Sequence, residues 1–307
     1  MAIPSPVVAL PVRRVQPAAR PAAPLPTRDL GAIELRFDAA SSTAWITMLA
    51  PPGRPLNVSP GLLDAFEQAF AGFEAHGGAW EEENQPPRPI HYAVLRSTHP
   101  VYFNAGGDLG HLHAGIGSGD FETLRAYSMR CLDLTHRWFS SITRHATTVS
   151  LVQGRALGGG FEIALASDHV IAEEQAEFGL PEILFGLFPC SGGMSLLTRR
   201  IGSAAAERMM RSGRIYPAAE LLEMGVIDEV CPTGEGENFA REFVATHAKA
   251  RPARHALGRA KRRMMPLDRD EMTAIVEDWV DAARRLTPEN LRVLDTLMRM
   301  QQNDFGR

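Results

Sequence analysis

The distribution of apolar and polar positions changes character at Ile33. From there, segments with strand-like alternation or short apolar runs trade places with segments of helical periodicity, the pattern of an α/β chain. The stretches AIELRFD and AWITML read as strands, and Pro51, Pro52 and Gly53 end the second. In GLLDAFEQAFAGFEAH, the residues Leu62, Leu63, Phe66, Ala69, Phe70 and Phe73 recur at helical spacing. IHYAVLRS is the next strand, followed by the glycine-bearing loop FNAGGDLG. A long helix is expected over Phe121 to His145, then the strand TTVSLVQG, a helix inside ALGGGFEIALASD and the strand HVIAEE. The last third reads as helices, with GVIDEVCP a short connection and Thr287 before Pro288 capping a final helix. No repeat of fixed period is visible, which argues against a solenoid built from recognisable sequence repeats.

Residues 1–30 lack this periodicity. Arg13, Arg14, Arg20 and Arg28 precede the first acid, Asp29, among many Pro and Ala residues. Such a segment reads as a disordered tail, and its prolines break the amphipathic helix that a transit peptide would need. The 307 residues are 45% hydrophobic and 22% charged, enough to bury a sizeable core. A formal charge of −4 and a pI near 6.2 give no footprint for nucleic acid. Three widely spaced cysteines suit neither a disulfide framework nor a zinc site and point to a reducing, cytoplasmic setting. No apolar run is long enough for a membrane span.

One carboxylate stands out. In ALGGGFEIALASD the neighbours of Glu162 on its own helix face are apolar, and a buried, unpaired carboxylate is costly and tends toward a raised pKa. The glycines ahead of it leave backbone N–H groups uncovered near a helix N-terminus, where negative charge is favoured. The pattern fails as a dinucleotide fingerprint, because Ile163 occupies the third glycine position, and no P-loop is present. A second loop, with Gly106, Gly107 and Asp108, has the same quality, and two such loops can converge to hold one oxygen in an oxyanion hole. Glu182 is the only charged residue in FGLPEILFGLFP. Two isolated glutamates in apolar settings suit an acid/base pair, one held protonated and the other ionised, although an exposed glutamate in a first helical turn is the plain alternative for Glu182.

Weaker candidates remain. His111 and His113 with Asp108 resemble a fragment of a metal site but lack further ligands, and a simple loop is the preferred reading. Cys190 reads as a small packing residue sooner than a nucleophile. KARPARHALGRAKRR, from Lys249 to Arg263, carries seven Lys or Arg and no acid. It suits a solvated helix face or a dock for CoA phosphates or an acidic carrier protein.

The segment LVQGRALGGGFEIALASDHVIAEEQAEFGLPEILFGLFP resembles the core of the crotonase superfamily, the enoyl-CoA hydratases and isomerases, and VYFNAGGDL resembles its first oxyanion loop. Within that superfamily NAGGDLGHL, CLDLTHRWFSSITRHATTVSLVQG, LPEILFGLFP and EDWVDAARRLTPENLRVLDTLMR are most similar to the bacterial diffusible signal factor synthases. The pair Cys190–Ser191 departs from the glycine common there. The resemblance implies a ββα spiral over residues 31–235 and a C-terminal helical region, residues 236–307, that mediates trimer formation, with a homotrimer or dimer of trimers as the assembly. It assigns Glu162 and Glu182 as the acid/base pair and Gly107 and Gly159 as oxyanion donors, with Gly106, Leu157, Gly158, Leu187 and Cys190 contacting substrate. Which glutamate gives and which takes the proton stays open. The implied reaction is dehydration of a 3-hydroxyacyl chain on acyl carrier protein, with thioester cleavage to a cis-2-unsaturated acid and no metal or redox cofactor. The alternatives are an enoyl-CoA hydratase of fatty-acid breakdown and a non-catalytic acyl-binding regulator that docks on a sensor kinase.

Overall fold

The computed structural model describes residues 26–303. Residues 1–25 of the expected tail lie outside the described residues, but its last part needs correction. Thr27–Asp29 forms an edge strand, β1, antiparallel to β2 (Ile33–Asp38). Arg28 holds it there through a guanidinium 4.4 Å from the Trp80 ring centroid.

The remaining elements follow as β3 (Thr43–Met48), α1 (Pro60–Ala75), the small pair β4 (Ala79–Trp80) and β5 (Arg88–Pro89), β6 (Tyr92–Ser97) and β7 (Tyr102–Asn104). Then come α2 (Leu109–Ser118), α3 (Phe121–Ser140), β8 (Thr147–Val152), β9 (Arg155–Leu157), α4 (Gly159–Leu165), β10 (His169–Glu173) and β11 (Glu177–Gly179). A 3-10 turn over Pro181–Phe185 leads to α5 (Gly193–Ile201), α6 (Ser203–Ser212), β12 (Ile215–Pro217), α7 (Ala218–Glu223) and β13 (Glu229–Cys231). Four helices close the chain: α8 (Gly236–Ala248), α9 (Arg251–Met264), α10 (Arg269–Ala283) and α11 (Pro288–Asn303).

Two sheets share these strands. The larger runs β1-β2-β3-β6-β8-β10-β13 and is parallel from β3 onward; the smaller runs β12-β11-β9-β7, parallel except at β12. Successive passes of the chain place one strand in the large sheet, a three-residue strand in the small one, and then a helix. The passes are β6-β7-α2, β8-β9-α4 and β10-β11 with its 3-10 turn, so the fold is a ββα spiral. Unequal insertions hide the period: α3 intervenes between the first pass and the second. Every residue of β8 is buried, as expected of a parallel sheet covered on both faces.

Local chemistry accounts for several boundaries. Ser59 caps α1 by accepting from Leu62 N, with Pro60 at the first helical position. Thr287 and Asn290 cap α11 reciprocally, the Thr287 N–H donating to Asn290 Oδ1 at 2.9 Å. The long helix stops at Ser140 instead of His145, where Ser140 Oγ back-bonds to the His136 carbonyl at 2.6 Å and a 3-10 turn over Ile142–Arg144 follows. HLHAGIG is helical, not a loop, because Asp108 accepts from His111 N and nucleates α2. Within the expected connection GVIDEVCP, Glu229–Cys231 adds a strand to the open side of β10.

Candidate functional site

Three parallel neighbours of the small sheet position the candidate residues. Asn104 at the end of β7 pairs with Ala156 of β9, and Leu157 of β9 pairs with Gly179 of β11. The segments that follow these strands therefore leave the sheet along one edge, carrying Gly106–Gly107, Gly158–Glu162 and Glu182 respectively. Convergence of the two glycine loops, which spacing alone left open, is a consequence of this register. A Cβ on Gly106 would sit 2.7 Å from the Leu157 carbonyl oxygen, and one on Gly159 would sit 3.8 Å from Gly107 N. Gly159 opens α4, so its N–H has no carbonyl one turn earlier in the helix to donate to. Gly158 takes φ +48° and ψ −127°, backbone open to glycine, and the point its Cβ would occupy is 2.7 Å from Glu182 Oε1.

All nine candidate residues, Gly106, Gly107, Leu157, Gly158, Gly159, Glu162, Glu182, Leu187 and Cys190, line one cavity of about 430 Å³. The two carboxylates differ in surroundings. Glu162 is 2% exposed, and its Oε1 accepts from Ser191 N at 2.9 Å and Gly193 N at 2.7 Å. Burial raises its pKa, and these N–H groups pull the other way by favouring the carboxylate. Glu182 has only its own backbone N–H pulling in that direction. Its Oε2 is sealed from solvent without a hydrogen-bond partner, and burial followed by repulsion from Glu162 pushes its pKa up to about 8. Of the two, Glu182 is the carboxyl whose surroundings favour the protonated form more strongly.

The imbalance has a measurable effect on stability. Below the ordinary carboxyl pKa of 4.5 the folded and unfolded chains both hold the Glu182 proton; between there and about 8 only the folded chain does. The unfolded state then binds fewer protons, so this group's contribution is full at low pH and is lost as pH rises through the window, by up to about 1.4 kcal/mol per unit. Glu182→Gln, always neutral, is expected to gain stability over wild type progressively from pH 5 to 8, read from urea unfolding at each pH. A gap that stays constant across that range rules out the raised pKa.

Several functional groups gave no sequence signal. The N–H donors to Glu162 belong to the backbone of Ser191 and Gly193, just after the Cys190 position noted as unusual. Asn104 Oδ1 accepts from Gly106 N at 2.8 Å and braces the first loop. Trp279 of α10 and Leu297, Met300 and Gln301 of α11 wall the cavity, so the C-terminal helices complete the pocket of their own chain. Gln301 Nε2 donates to the Ala105 carbonyl at 3.3 Å.

Other candidates lie elsewhere or do other work. His111 packs on the Tyr127 ring with centroids 4.9 Å apart, and His113 Nε2 lies 3.2 Å from Asp295 of α11. The Cys190 thiol reaches the cavity, but burial and the nearby carboxylates push its pKa well up, so it is no thiolate at neutral pH. The basic stretch forms α9, with no buried residue, and lines a different cavity together with His169, His247 and Arg200. Among the described residues no helix is long and apolar enough to cross a membrane.

Comparison with known proteins bears on the fold and the family. The family model for enoyl-CoA hydratase/isomerase matches residues 82–278. A probable enoyl-CoA hydratase of Mycobacterium tuberculosis is 37% identical over 133 residues, covering 42% of this chain and 52% of the relative. A carnitinyl-CoA dehydratase of Salmonella enteritidis is 31% identical over 169 residues, covering 53% of this chain and 59% of the relative. The chain thus spans about half the length of the curated relatives it matches. Among solved structures, an enoyl-CoA hydratase/isomerase from Xanthobacter autotrophicus superposes with a TM-score of 0.69 at 20% identity, covering 89% of this chain and 95% of that one. Pseudomonas aeruginosa DspI does so with a TM-score of 0.58 at 22% identity, covering 90% and 94%. These structural likenesses carry the fold and the family match carries the kinship: the chain belongs to the enoyl-CoA hydratase/isomerase family and has the crotonase fold.

Proposed function

We propose that the protein is an acyl-thioester lyase that interconverts 3-hydroxyacyl and 2-enoyl thioesters, with Glu162 and Glu182 as its acid/base pair. The observation that carries this reading is the meeting of two unequal buried carboxylates with the Gly107 and Gly159 N–H groups in one cavity. A thioester carbonyl seated on those donors gains negative charge when the bond between its α carbon and hydrogen breaks. Preorganised N–H groups hold that charge without reorientation, and one such donor is worth about 2.7–4 kcal/mol in a protease of unrelated fold. In the hydration direction Glu162, as carboxylate, takes a proton from water as the oxygen bonds to C3, and Glu182 delivers its proton to the α carbon. Dehydration reverses both transfers: Glu182 takes the α proton, and Glu162 protonates the departing 3-hydroxyl to release water. The pair carries one proton throughout and turnover passes it across, so kcat/KM is expected to fall above pH about 8 in both directions.

The finer reading follows the signal factor synthase motifs. The substrate is then a 3-hydroxyacyl chain on acyl carrier protein, and after dehydration the same pocket hydrolyses the thioester. Glu162 takes a proton from the attacking water, the N–H pair holds the tetrahedral oxygen, and collapse breaks the C–S bond to release a free cis-2-unsaturated acid and the carrier's thiol, to which Glu162 returns the proton. The curated relatives favour a second reading, reversible hydration of an enoyl-CoA. Mass-spectrometric product analysis after incubation with 3-hydroxyacyl carrier protein, and separately with enoyl-CoA, distinguishes the two. Free unsaturated acid from the carrier substrate supports the finer reading, hydration of enoyl-CoA alone supports the second, and no turnover of either overturns the lyase.

A further inference from the structure

Tyr127 occupies a position in α3 that sequence patterning treats as one more helical residue, yet its hydroxyl is built into the first glycine loop. It donates to the Val58 carbonyl at 2.7 Å and accepts from Asp108 N at 2.8 Å. Both partners bracket Gly107. Asp108 is its chain neighbour, and Val58 forms a parallel bridge with it while Val58 N donates to the Gly106 carbonyl at 2.7 Å. Asn104 Oδ1 takes the Gly106 N–H. The polar groups on either side of the Gly107 N–H are thus committed to fixed partners. The point a Gly107 Cβ would occupy lies 3.6 Å from the Tyr127 oxygen. The phenol is 6% exposed, and burial holds its pKa well above the ordinary value, so it keeps its proton and its donor role across the working pH range.

We propose that Tyr127 is a positioning residue of the reaction: by tying Val58 to Asp108 it sets the direction in which the Gly107 N–H points at the substrate carbonyl. The proposal rests on the oxyanion role of Gly107. Tyr127 makes its bonds to the loop with both its donor and one acceptor site, and so acts through Gly107.

Tyr127→Phe keeps the ring and its packing and removes only the oxygen. Asp108 N and Val58 O then lose a buried partner, which favours relaxation of the loop. A misdirected donor forfeits part of the 10²- to 10³-fold that loss of a whole donor costs, so kcat is expected to fall about 10- to 100-fold. KM should change by less than about threefold, because the apolar walls that bind the chain are untouched. A conjugated enoyl thioester whose absorption moves to the red when its carbonyl is polarised reports the same event at equilibrium, and the variant should show a smaller red shift. A wild-type red shift and kcat in a folded Tyr127→Phe protein overturn the proposal, as does a loss confined to KM. If the wild-type protein polarises no bound thioester, the oxyanion reading of Gly107 falls first.

Discussion

Glu162→Gln is expected to lower kcat by about 10²- to 10⁴-fold, the range that positioned acid/base groups supply, while KM moves far less. The amide is isosteric with the carboxyl group and still offers an oxygen to the Ser191 and Gly193 N–H groups, but it cannot take a proton from water. Stability should hold or rise, because a carboxylate whose pKa burial has raised costs more to fold in its ionised form than a neutral amide does. Glu182→Gln should lose activity in the same range for the complementary reason: it cannot give or take the α proton. The double variant should lose little more than either single one, since the two transfers belong to one reaction and neither glutamate completes it alone. Steady-state hydration of an enoyl thioester, followed by absorbance, checks all three. A loss below about tenfold in either single variant removes that residue from the chemistry. A double variant that kept every effect in cells would move the protein into the class of acyl-binding regulators.

How far the site could be read from the chain alone depends on the reach of each interaction. Glu162 announces itself because an acid among Phe161, Ile163, Ala164 and Leu165 conflicts with burial, and that conflict is local. Glu182 is legible for the same reason, as the lone charge between Phe178 and Pro189. Tyr127 was not, because its value lies in two contacts to a loop 19 and 69 positions away, while its place in the helix is ordinary. The N–H groups of Ser191 and Gly193 are invisible for a different reason, since every residue but proline offers one and only the turn decides where it points. Strands β7, β9 and β11 are three residues each, too short to show alternation, yet their register brings the loops together. The division at residue 236 suited the helical pattern, but Trp279 and Leu297 reach back into the cavity and make the last helices part of its wall.

Gly160→Ala should be severely disruptive for so small a substitution, and its cost is steric. The added Cβ would lie 2.3 Å from the Asn104 carbonyl oxygen and 2.7 Å from Asn104 Cβ. Neither side can yield cheaply: Gly160 is in the first turn of α4, and Asn104 is held in β7 while its side chain accepts from Gly106 N. Overpacking a core by one methyl group costs about 1–3 kcal/mol where side chains can shift, and a clash of backbone on backbone belongs at or beyond the top of that range. Relief requires α4 to move off β7, which carries the Gly159 N–H away from the Gly107 N–H. Activity per folded molecule should therefore fall along with the midpoint of thermal unfolding. Gly72→Ala supplies the contrast. Gly72 lies inside α1 with nothing within 4 Å of its would-be Cβ, so the same change there should raise stability by about 0.5–1 kcal/mol through helix propensity and leave turnover alone. If Gly160→Ala melts within about 1 °C of wild type at unchanged kcat, the close seating of α4 on β7 is not what aligns the two loops.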